Sequence, residues 1–420
     1  MAGTGAIGAT PISPPSGPAR RLAQGPPSKS KFLAVTPNIN ALAAQGMRFT
    51  DYHSNGAVCS PTRAALMTGL YQQRVGISGV VTAKRHRDVG LAVGETTIAE
   101  VLSENGYATA LFGKWHLGYD PKFNPVHQGF DEFAGFISGN VDFFSHIDQE
   151  GHKDWWHGDK PTPEEGYVTH LITRHGLRFI EENKDRPFFL YLPHLSPHYP
   201  YQGPDDQPIR SADGVRISAA PDMDIPRAYR DMMVALDKGV GEIMAALDKH
   251  GLAERTLVIF CSDNGASQHG SNGPLRGHKG SIHEGGHRVP MIARWPGVIP
   301  ADKVSDATAL GMDFFPTLLD AAGIKAPGKL DGTSILPVLR AEADLPERTV
   351  FWNVGKGAAA RRGPWKLVIE GGDRKAAGSV YHLGDDPAEE RPVENPEVHQ
   401  RLRKELDAWL ESWQDVRQHS

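Results

Sequence analysis

The chain has 420 residues, which is enough for one large domain and a smaller one. Its 45 basic and 50 acidic residues give a formal net charge of −5, so there is no electrostatic basis for a nucleic acid or an anionic membrane as partner. Two cysteines cannot form a disulfide framework, and no apolar run approaches the length of a membrane span.

The first 30 residues differ in composition from the rest of the chain. They are rich in Ala, Gly, Pro and Ser, contain no Asp or Glu, and lack the basic, apolar and cleavage regions of a signal peptide. We expect residues 1–35 to be disordered or not to belong to the native fold. As written, the chain predicts a cytoplasmic protein, whereas a non-native start leaves a periplasmic or secreted location open.

Helix signals begin directly after this segment. In "TPNINALAAQG", Thr36 is the expected N-cap, Pro37 the first helical residue and Gly46 the C-terminal stop. "SPTRAALMTG" repeats the pattern, with Ser60 as the cap and Gly69 as the stop. The two segments predict short helices, separated by the extended run "MRFTDYHS".

Longer segments then alternate between helix and strand. Each of three combines a helical pattern with a short apolar run: "TTIAEVLSENGYATALFGKWH", "YVTHLITRHGLRFIEENKDRPFFLYLPH" and "YRDMMVALDKGVGEIMAALDKHGLAERTLVIFCSDNG". This alternation predicts an α/β fold in which helices flank a large, mainly parallel sheet. We assign residues 36–335 to this large domain.

The pattern changes after about residue 335. "TVFWNV", "RRGPWKLVIEGG" and "SVYHLG" are typical of strands in an antiparallel sheet, and "PEVHQRLRKELDAWLESWQDV" predicts a terminal amphipathic helix. Residues 336–420 are therefore predicted to form a small C-terminal α+β subdomain.

Polar clusters directly follow the apolar strands of the large domain. They are "GKWH", "HLSPH" and "SDNG". Because ligands bind beyond the carboxyl ends of strands in such sheets, we expect these clusters to meet at one edge. Asp263 and Asn264 in the last cluster offer hard oxygen ligands suited to Ca²⁺ or Mg²⁺, although a strand-ending turn explains that tripeptide better when it is taken alone.

Cys59 lies at the entry to the helix in "CSPTRAALMTG". The free N–H groups and the dipole of a helix start favour an anion, and Arg63, one turn on, can present its planar fork to the same anion. This arrangement suits a tetrahedral oxyanion and a nucleophile at position 59. Taken alone, Cys59 is better explained as a small buried side chain; a thiolate with a histidine partner and a modified cysteine are the functional alternatives.

The neighbours of Cys59 decide between these interpretations. "CSPTRAALMTG" fits the sulfatase pattern Cys-x-Pro-x-Arg, and further motifs of that family follow in order: "GKWHLG", "HLSPHYP", "SDNGA", "LRGHKGSIHEGGHRVP", "ARRGPWKLV" and "VYHLGDDPAEE". From Thr36 to the C-terminus, the chain resembles the formylglycine-dependent, arylsulfatase-like (type I) sulfatases of the alkaline phosphatase superfamily.

The resemblance implies a role for each matched residue. In that family the formylglycine-generating enzyme oxidises the cysteine, here Cys59, to formylglycine (3-oxoalanine), whose hydrated aldehyde supplies the attacking oxygen. The implied catalytic residues are Cys59, Arg63, Lys114, His116, His198 and Lys279. The implied sulfate-binding residues are Lys114, His198, Lys279 and Ser138. The cation, Ca²⁺ or alternatively Mg²⁺, would be held by Asp263, Asn264 and residue 59.

Charge and proton chemistry support these assignments. Charge develops on the leaving oxygen as the S–O bond breaks, and fixed cations stabilise it most in a water-poor pocket. By resemblance, His116 assists release of sulfate, and His198 with Lys279 protonates the leaving group. His194 is less favoured than His198, because "HYP" matches the family pattern at the later histidine.

Two further features are weaker predictions. Ser138 and Asn140 in "GFISGNVDFF" lie where a sulfatase adds polar contacts to sulfate, but a turn explains them equally well. Trp155 and Trp156 in "GHKDWWHGDK" could stack on a sugar ring at the pocket rim, although an ordinary loop cluster is the simpler explanation.

One family element is missing from the sequence. Sulfatases also use two consecutive aspartates at the end of a first strand that precedes the "TPN" helix, and here no acidic residue precedes Asp51. Loss of that strand predicts weakened metal binding and an uncovered core. A non-native N-terminal segment explains the pattern better than a pseudoenzyme does, because the other motif residues are all retained.

The predicted function is hydrolysis of sulfate monoesters, on an aryl or carbohydrate substrate, with a formylglycine nucleophile and a divalent cation. The alternatives are a phosphoesterase on the same scaffold, an inactive pseudo-sulfatase that binds sulfated ligands, and a thiol hydrolase that uses Cys59 directly.

Overall fold

The computed structural model describes residues 36–211, 224–267, 269–371, 373 and 375–414. The segment predicted to be disordered, residues 1–35, lies outside the described residues. The α-helices are α1 (Pro37–Ala44), α2 (Cys59–Thr68), α3 (Ile98–Glu104), α4 (Val168–Asn183), α5 (Ile225–Lys249), α6 (Glu284–His287), α7 (Phe314–Ala322), α8 (Leu336–Leu339) and α9 (Pro396–Glu411).

The β-strands belong to four sheets. They are β1 (Met47–Phe49), β2 (Tyr52–His53), β3 (Ala108–Lys114), β4 (Glu132–Phe136), β5 (Trp156–His157), β6 (Lys160–Pro161), β7 (Phe188–Tyr191), β8 (Val258–Cys261), β9 (Met291–Arg294), β10 (Lys303–Ser305), β11 (Ala309–Leu310), β12 (Thr349–Val354), β13 (Gly357–Arg362), β14 (Trp365–Ile369) and β15 (Ser379–His382). Among the described residues, no helix is both long and apolar enough to span a bilayer.

Helix α2 begins two residues earlier than its capping pattern predicts. Its N-cap is Val58 and its first residue is Cys59, so Ser60 lies inside the helix. The Ser60 hydroxyl accepts a hydrogen bond from the backbone N–H of Val81 at 3.1 Å, and is therefore not used as a cap. The predicted stop is confirmed, because Gly69 adopts the left-handed conformation that ends the helix, with φ 68°.

The predicted α/β class is confirmed, but the large domain has three separate sheets among the described residues, of which the smallest is the two-stranded pair β11-β2. One sheet has the order β6-β5-β4-β3-β7, in which β3 pairs in parallel with both β4 and β7. Another has the order β10-β1-β9-β8, in which β9 is antiparallel to both of its neighbours. The arrangement is therefore mixed, with parallel pairs on both sides of β3 and also between β1 and β10 and between β2 and β11.

Strands β7 and β8 are edge strands of the two larger of these sheets, and both line the same cavity of about 1660 Å³. Every residue of β7 and β8 is only half-buried, whereas all seven residues of β3 are buried. Apolar side chains of α5 and α7 complete the walls. We call this space the β7–β8 slot; within the described residues no strand occupies it.

The slot matters for the first strand that the family resemblance implies. An edge strand leaves one row of backbone N–H and C=O groups without strand partners, and here two such rows border one apolar cavity. A strand added between β7 and β8 would pair with both edges. That this strand is missing from the sequence ahead of α1 remains a prediction.

The C-terminal residues form an antiparallel sheet, β12-β13-β14-β15, covered by α9. Leu367 and Leu402 are fully buried in its core, and Phe351 of β12 stacks on Trp409 of α9. The same apolar cluster includes Ala65 of α2 and Met312, so the sheet packs directly on the large domain. The predicted boundary at 335/336 remains a prediction.

Candidate active site

Cys59 is the first residue of α2 and is 3% exposed. The Lys279 ammonium lies 3.5 Å from its sulfur, and the Asn264 side-chain oxygen lies 3.7 Å away. The helix start adds its unpaired N–H groups to this environment. Residue 59 is therefore held beside a cation and a hard oxygen, as expected for a nucleophile at an anion site.

Arg63 connects the carboxyl ends of two strands. Its guanidinium donates at 2.8 Å to the backbone oxygen of Lys114, the last residue of β3. It also donates at 3.2 Å to the carboxylate of Asp263, which follows β8. Because Arg63 is only 5% exposed, both contacts are shielded from water. The polar clusters predicted to converge at one sheet edge do meet here.

The pocket contains more positive than negative charge. Burial, with a further contribution from Arg63, lowers the pKa of Lys114 to about 8. Burial alone would lower the pKa of Lys279, but the facing Cys59 and Asp263 outweigh it, so the pKa lies above its usual value. Burial would raise the pKa of Asp263, yet Arg63, Lys114 and Lys279 together hold it well below its usual range. Three cations thus surround a single carboxylate.

His116 adopts a positive φ of 60° immediately after β3. Its Nε2 lies 2.9 Å from the backbone oxygen of Val81, so Nε2 carries the proton and Nδ1, which has no partner, is the free nitrogen. Burial, reinforced by Lys114, lowers its pKa well below 6.5. The Cα of Gly139 packs against the ring, where any larger side chain would collide with it.

His198 lines the cavity. Its Nδ1 donates at 2.7 Å to the backbone oxygen of Tyr199, which leaves Nε2 as the unprotonated nitrogen. Burial, with Lys114 and Lys279, lowers its pKa well below 6.5. Burial alone lowers the pKa of His194 to about 4, and its Nδ1 has no partner. Geometry and charge therefore link His198, more than His194, to the cationic groups.

Most of the predicted site residues line one cavity, which is continuous with the β7–β8 slot. They are Arg63, Lys114, His194, His198, Asp263, Asn264 and Lys279. His116 and Ser138 are not among the residues that line it, although Lys114, Arg63 and His198 all act on the His116 ring. The hydroxyl of Ser138 donates to the backbone oxygen of Asn140 at 3.0 Å, and the side-chain oxygen of Asn140 accepts from Arg210. The Ser138 side chain is thus used within its own turn, and that of Asn140 is paired with a distant arginine.

Trp155 and Trp156 do not form a stacking surface at the rim of the pocket. Trp155 is 2% exposed and stacks on His146, with ring centroids 4.6 Å apart. Trp156 is half-buried and donates its ring N–H to Asp154 at 2.8 Å. The alternative of sugar stacking is wrong for Trp155, because its faces are covered by the core.

Sequence reasoning missed an aromatic residue at this site. Tyr199 lines the cavity, is 45% exposed and packs on the ring of His198, with centroids 4.5 Å apart. It belongs to the quoted motif "HLSPHYP", where an aromatic directly after a functional histidine was the available signal. An exposed aromatic ring at a pocket mouth suits contact with the non-sulfate part of a substrate.

The described residues do not make a complete divalent-cation site. Asp263 and Asn264 offer at most three side-chain oxygens, whereas Ca²⁺ takes six to eight oxygen ligands. The described clusters of three metal-ligating side chains lie elsewhere and do not include Asp263. Arg63 pairs with the same carboxylate, and the surrounding charge is positive. No chemical step is therefore assigned to a metal.

These features define an α/β protein with a cysteine at a cationic, anion-binding pocket. A family model described as "Sulfatase" matches residues 26–324, and one described as "N-sulphoglucosamine sulphohydrolase, C-terminal" matches residues 278–416. The chain belongs to the sulfatase family. Members of this family generally use a formylglycine and a divalent metal.

Named relatives agree with this assignment. The chain is 34% identical to arylsulfatase A of Homo sapiens, over 76% of this chain and 66% of the relative. It is 34% identical to N-acetylgalactosamine-6-sulfatase of Canis lupus familiaris, over 76% of this chain and 64% of the relative. The aligned part thus covers slightly less than two thirds of either relative. Arylsulfatase G of Rattus norvegicus is 31% identical, over 91% of this chain and 82% of the relative.

Solved structures share the fold. The crystal structure of Ps i-CgsB matches with a TM-score of 0.78 and 31% identity, over 92% of this chain and 88% of that one. The same protein in complex with k-i-k-neocarrahexaose matches with the same TM-score and 30% identity.

Proposed function

We propose that the protein hydrolyses sulfate monoesters, with residue 59 as the nucleophile. The observation that carries the proposal is the convergence of Arg63, Lys114 and Lys279 on one cavity beside a cysteine at a helix start. Three fixed cations facing one carboxylate leave net positive charge, which a bound sulfate group would balance. Membership of the sulfatase family supports the same chemistry.

The nucleophile would be formylglycine, produced from Cys59 by a formylglycine-generating enzyme. When present, it supplies as its hydrate the oxygen that attacks sulfur. The existing contacts of Cys59 fit such a group, because Lys279 and Asn264 already approach the side chain. Lys279 would favour the ionised oxygen there, and Arg63 would hold the neighbouring Asp263 carboxylate in place.

Proton transfer is assigned to the two histidines. Each is neutral in the free protein and has one free ring nitrogen, at Nε2 of His198 and Nδ1 of His116. A bound anion offsets the positive charge of Lys114 and Lys279, and so raises the pKa of His198 toward the range of a proton donor. We assign protonation of the leaving oxygen to His198 and deprotonation at residue 59 to His116.

The proposed substrates are carbohydrate sulfates, with aryl sulfates as model compounds. Tyr199 at the cavity mouth supports a ring-shaped leaving group. The printed names of relatives include N-acetylgalactosamine-6-sulfatase, and one solved neighbour is in complex with k-i-k-neocarrahexaose. For the cation we propose Ca²⁺, with Mg²⁺ as the alternative, bound by Asp263, Asn264 and residue 59 together with ligands beyond the described set.

The test is production together with a formylglycine-generating enzyme, followed by assay on 4-nitrophenyl sulfate with and without added Ca²⁺. The peptide containing residue 59 is examined by mass spectrometry. We expect 3-oxoalanine at position 59 and a loss of about 10³-fold or more in turnover for Cys59→Ala. Cys261→Ala is the matched control, because it removes the other cysteine and should retain activity.

The alternatives give different results in the same assay. A phosphoesterase would hydrolyse 4-nitrophenyl phosphate faster than the sulfate. A binder of sulfated ligands would retain affinity for sulfated sugars without turnover. A thiol hydrolase would be inactivated by alkylation of Cys59, which a formylglycine enzyme resists. Undiminished turnover in Cys59→Ala would disprove the proposed nucleophile.

A further inference from the structure

Lys366 is a charged residue that the proposed chemistry does not use. It lies on β14 of the C-terminal sheet, and its side chain is fully buried. Its ammonium group contacts the carboxylates of Glu284 and Glu389, each at 2.9 Å, and the backbone oxygen of Ile282 at 3.2 Å. We call Lys366, Glu284 and Glu389 the Lys366 cluster. Burying a lysine this deeply is costly unless its partners are fixed.

The cluster holds the segment that carries Lys279. We call residues 276–287 the Lys279 loop. The backbone N–H of Glu284 donates to Glu389 at 2.7 Å, and the N–H of Gly285 donates to the backbone oxygen of Arg276 at 2.8 Å. Arg276 in turn donates to the backbone oxygen of Glu389 at 3.1 Å. Both ends of the loop are thus attached to the C-terminal subdomain.

The loop has little freedom to move independently. A Cβ on Gly285 would lie 2.3 Å from the backbone oxygen of Gly277, so the two ends of the loop are in direct backbone contact. Between them, the N–H of Lys279 donates to Ala266 at 3.0 Å, and the N–H of Gly280 donates to Ala57 at 2.9 Å. Ala57 is two residues before Cys59. A shift of Glu284 would therefore be transmitted to the Lys279 ammonium and to the start of α2.

The surrounding charges identify the cluster as an ion-pair network and not a metal site. His53, Glu284 and His287 present ligand atoms within 4.8 Å of one another. However, Lys366 lies 3.4 Å from Nε2 of His287, and Arg361 lies 2.9 Å from Nε2 of His53. Cations therefore occupy the positions that a metal ion would need. The charges of the network balance. Three buried carboxylates face three cations; the carboxylates are those of Asp51, Glu284 and Glu389, and the cations are Arg288, Arg361 and Lys366.

We propose that Lys366 is a positioning residue, which holds the Lys279 ammonium in the anion pocket through Glu284. The inference rests on the proposed function, because it concerns the pocket assigned there to sulfate. Removal of the Lys366 charge would leave the neighbouring carboxylates of Glu284 and Glu389 buried without their shared cation. Their repulsion would displace the loop, and Lys279 with it.

The test compares binding of inorganic sulfate, measured by isothermal titration calorimetry, with turnover of 4-nitrophenyl sulfate. For Lys366→Met we expect sulfate affinity to fall about tenfold or more. Lys366→Arg keeps the charge and should retain affinity within about threefold. Leu402→Ala is the matched control, because Leu402 is fully buried in the same C-terminal core but contributes no charge to the Lys366 cluster. It should lower the melting temperature and leave sulfate affinity within about twofold.

The outcomes separate this inference from the proposed function. Equal sulfate affinity in the parent and in Lys366→Met overturns the inference. A loss of sulfate affinity in Leu402→Ala as large as that in Lys366→Met also overturns it, because the loss would then follow from lowered stability. A parent that binds sulfate tightly but never hydrolyses the ester overturns the proposed function and leaves the affinity contrast intact. If Lys366→Met does not fold, Lys366→Gln replaces it, since it keeps a hydrogen-bond donor beside Glu284 and Glu389 but removes the charge; unchanged affinity there also overturns the inference.

Discussion

Lys114 makes the anion pocket sensitive to mildly alkaline pH. Its pKa of about 8 means that roughly nine tenths of the molecules carry the charge at pH 7 and about one tenth at pH 9. Inorganic sulfate keeps its own charge across this range. If the charged form is the one that binds, the affinity for sulfate should fall about tenfold between pH 7 and pH 9.

Other groups in the pocket do not titrate in the same interval. Lys279 has a raised pKa, and the pKa values of His116 and His198 lie well below 6.5. The measurement is calorimetric titration with sulfate from pH 6.5 to 9.5, in a Cys59→Ser background that removes the thiol. Lys114→Arg is the control, because arginine stays charged throughout and its affinity should be flat.

The same pKa predicts an opposite trend in stability. Between about pH 8 and 10.5, the unfolded chain binds a proton on Lys114 that the folded chain has released, so the free energy of unfolding rises with pH there. The full effect is about 3 kcal/mol, and about 2 kcal/mol of it should be present by pH 9.5. Urea unfolding of the parent and Lys114→Met isolates this contribution. A sulfate affinity that stays constant to pH 9.5 in the parent would refute the assignment of Lys114.

Further predictions concern the buried groups and the slot. Arg63→Met leaves the half-buried Asp263 carboxylate without its closest cation but with Lys114 and Lys279 still beside it, and should destabilise the protein by about 1–3 kcal/mol, measured by urea unfolding; no measurable loss would contradict the pairing. Burial raises the pKa of Cys261 to about 11, so about one thiol in a thousand is ionised at pH 8, and iodoacetamide should label it far more slowly than a free thiol. Amide hydrogens of β7 should exchange faster than those of β3, because β7 is an edge strand; equal protection would indicate a filled slot.

Local motifs made the family and much of the site predictable. Cys59, Arg63, Lys114, His198, Asp263 and Lys279 each belong to a short pattern, and three of these patterns follow a strand, so the topology of an α/β sheet brings them together. Their individual roles remain predictions. Residues 138 and 155 show the limit of pattern alone, because sequence does not reveal whether a side chain faces the pocket or its own turn.

Long-range packing accounts for what the sequence did not reveal. The Lys366 cluster joins residues that are distant in the sequence: Lys366 and Glu284 are 82 positions apart, and Glu284 and Glu389 are 105 positions apart. The segment "WKLV" carries no local sign that its lysine is buried. Helix α2 begins earlier than predicted because the Ser60 hydroxyl does not cap it and instead accepts a hydrogen bond from Val81, 21 residues further along the chain. The division of the large sheet depends on strand neighbours that no single segment specifies.

The β7–β8 slot has a consequence for handling the protein. Two unprotected strand edges are templates on which a second molecule can add its own strand. Neither β7 nor β8 has an inward-pointing charge, a proline or a bulge to discourage such pairing, since they read "FFLY" and "VIFC". We expect material with an open slot to self-associate as its concentration increases, and to collect in inclusion bodies when synthesis outpaces folding. Solubility would then report, before any assay, whether the slot is filled.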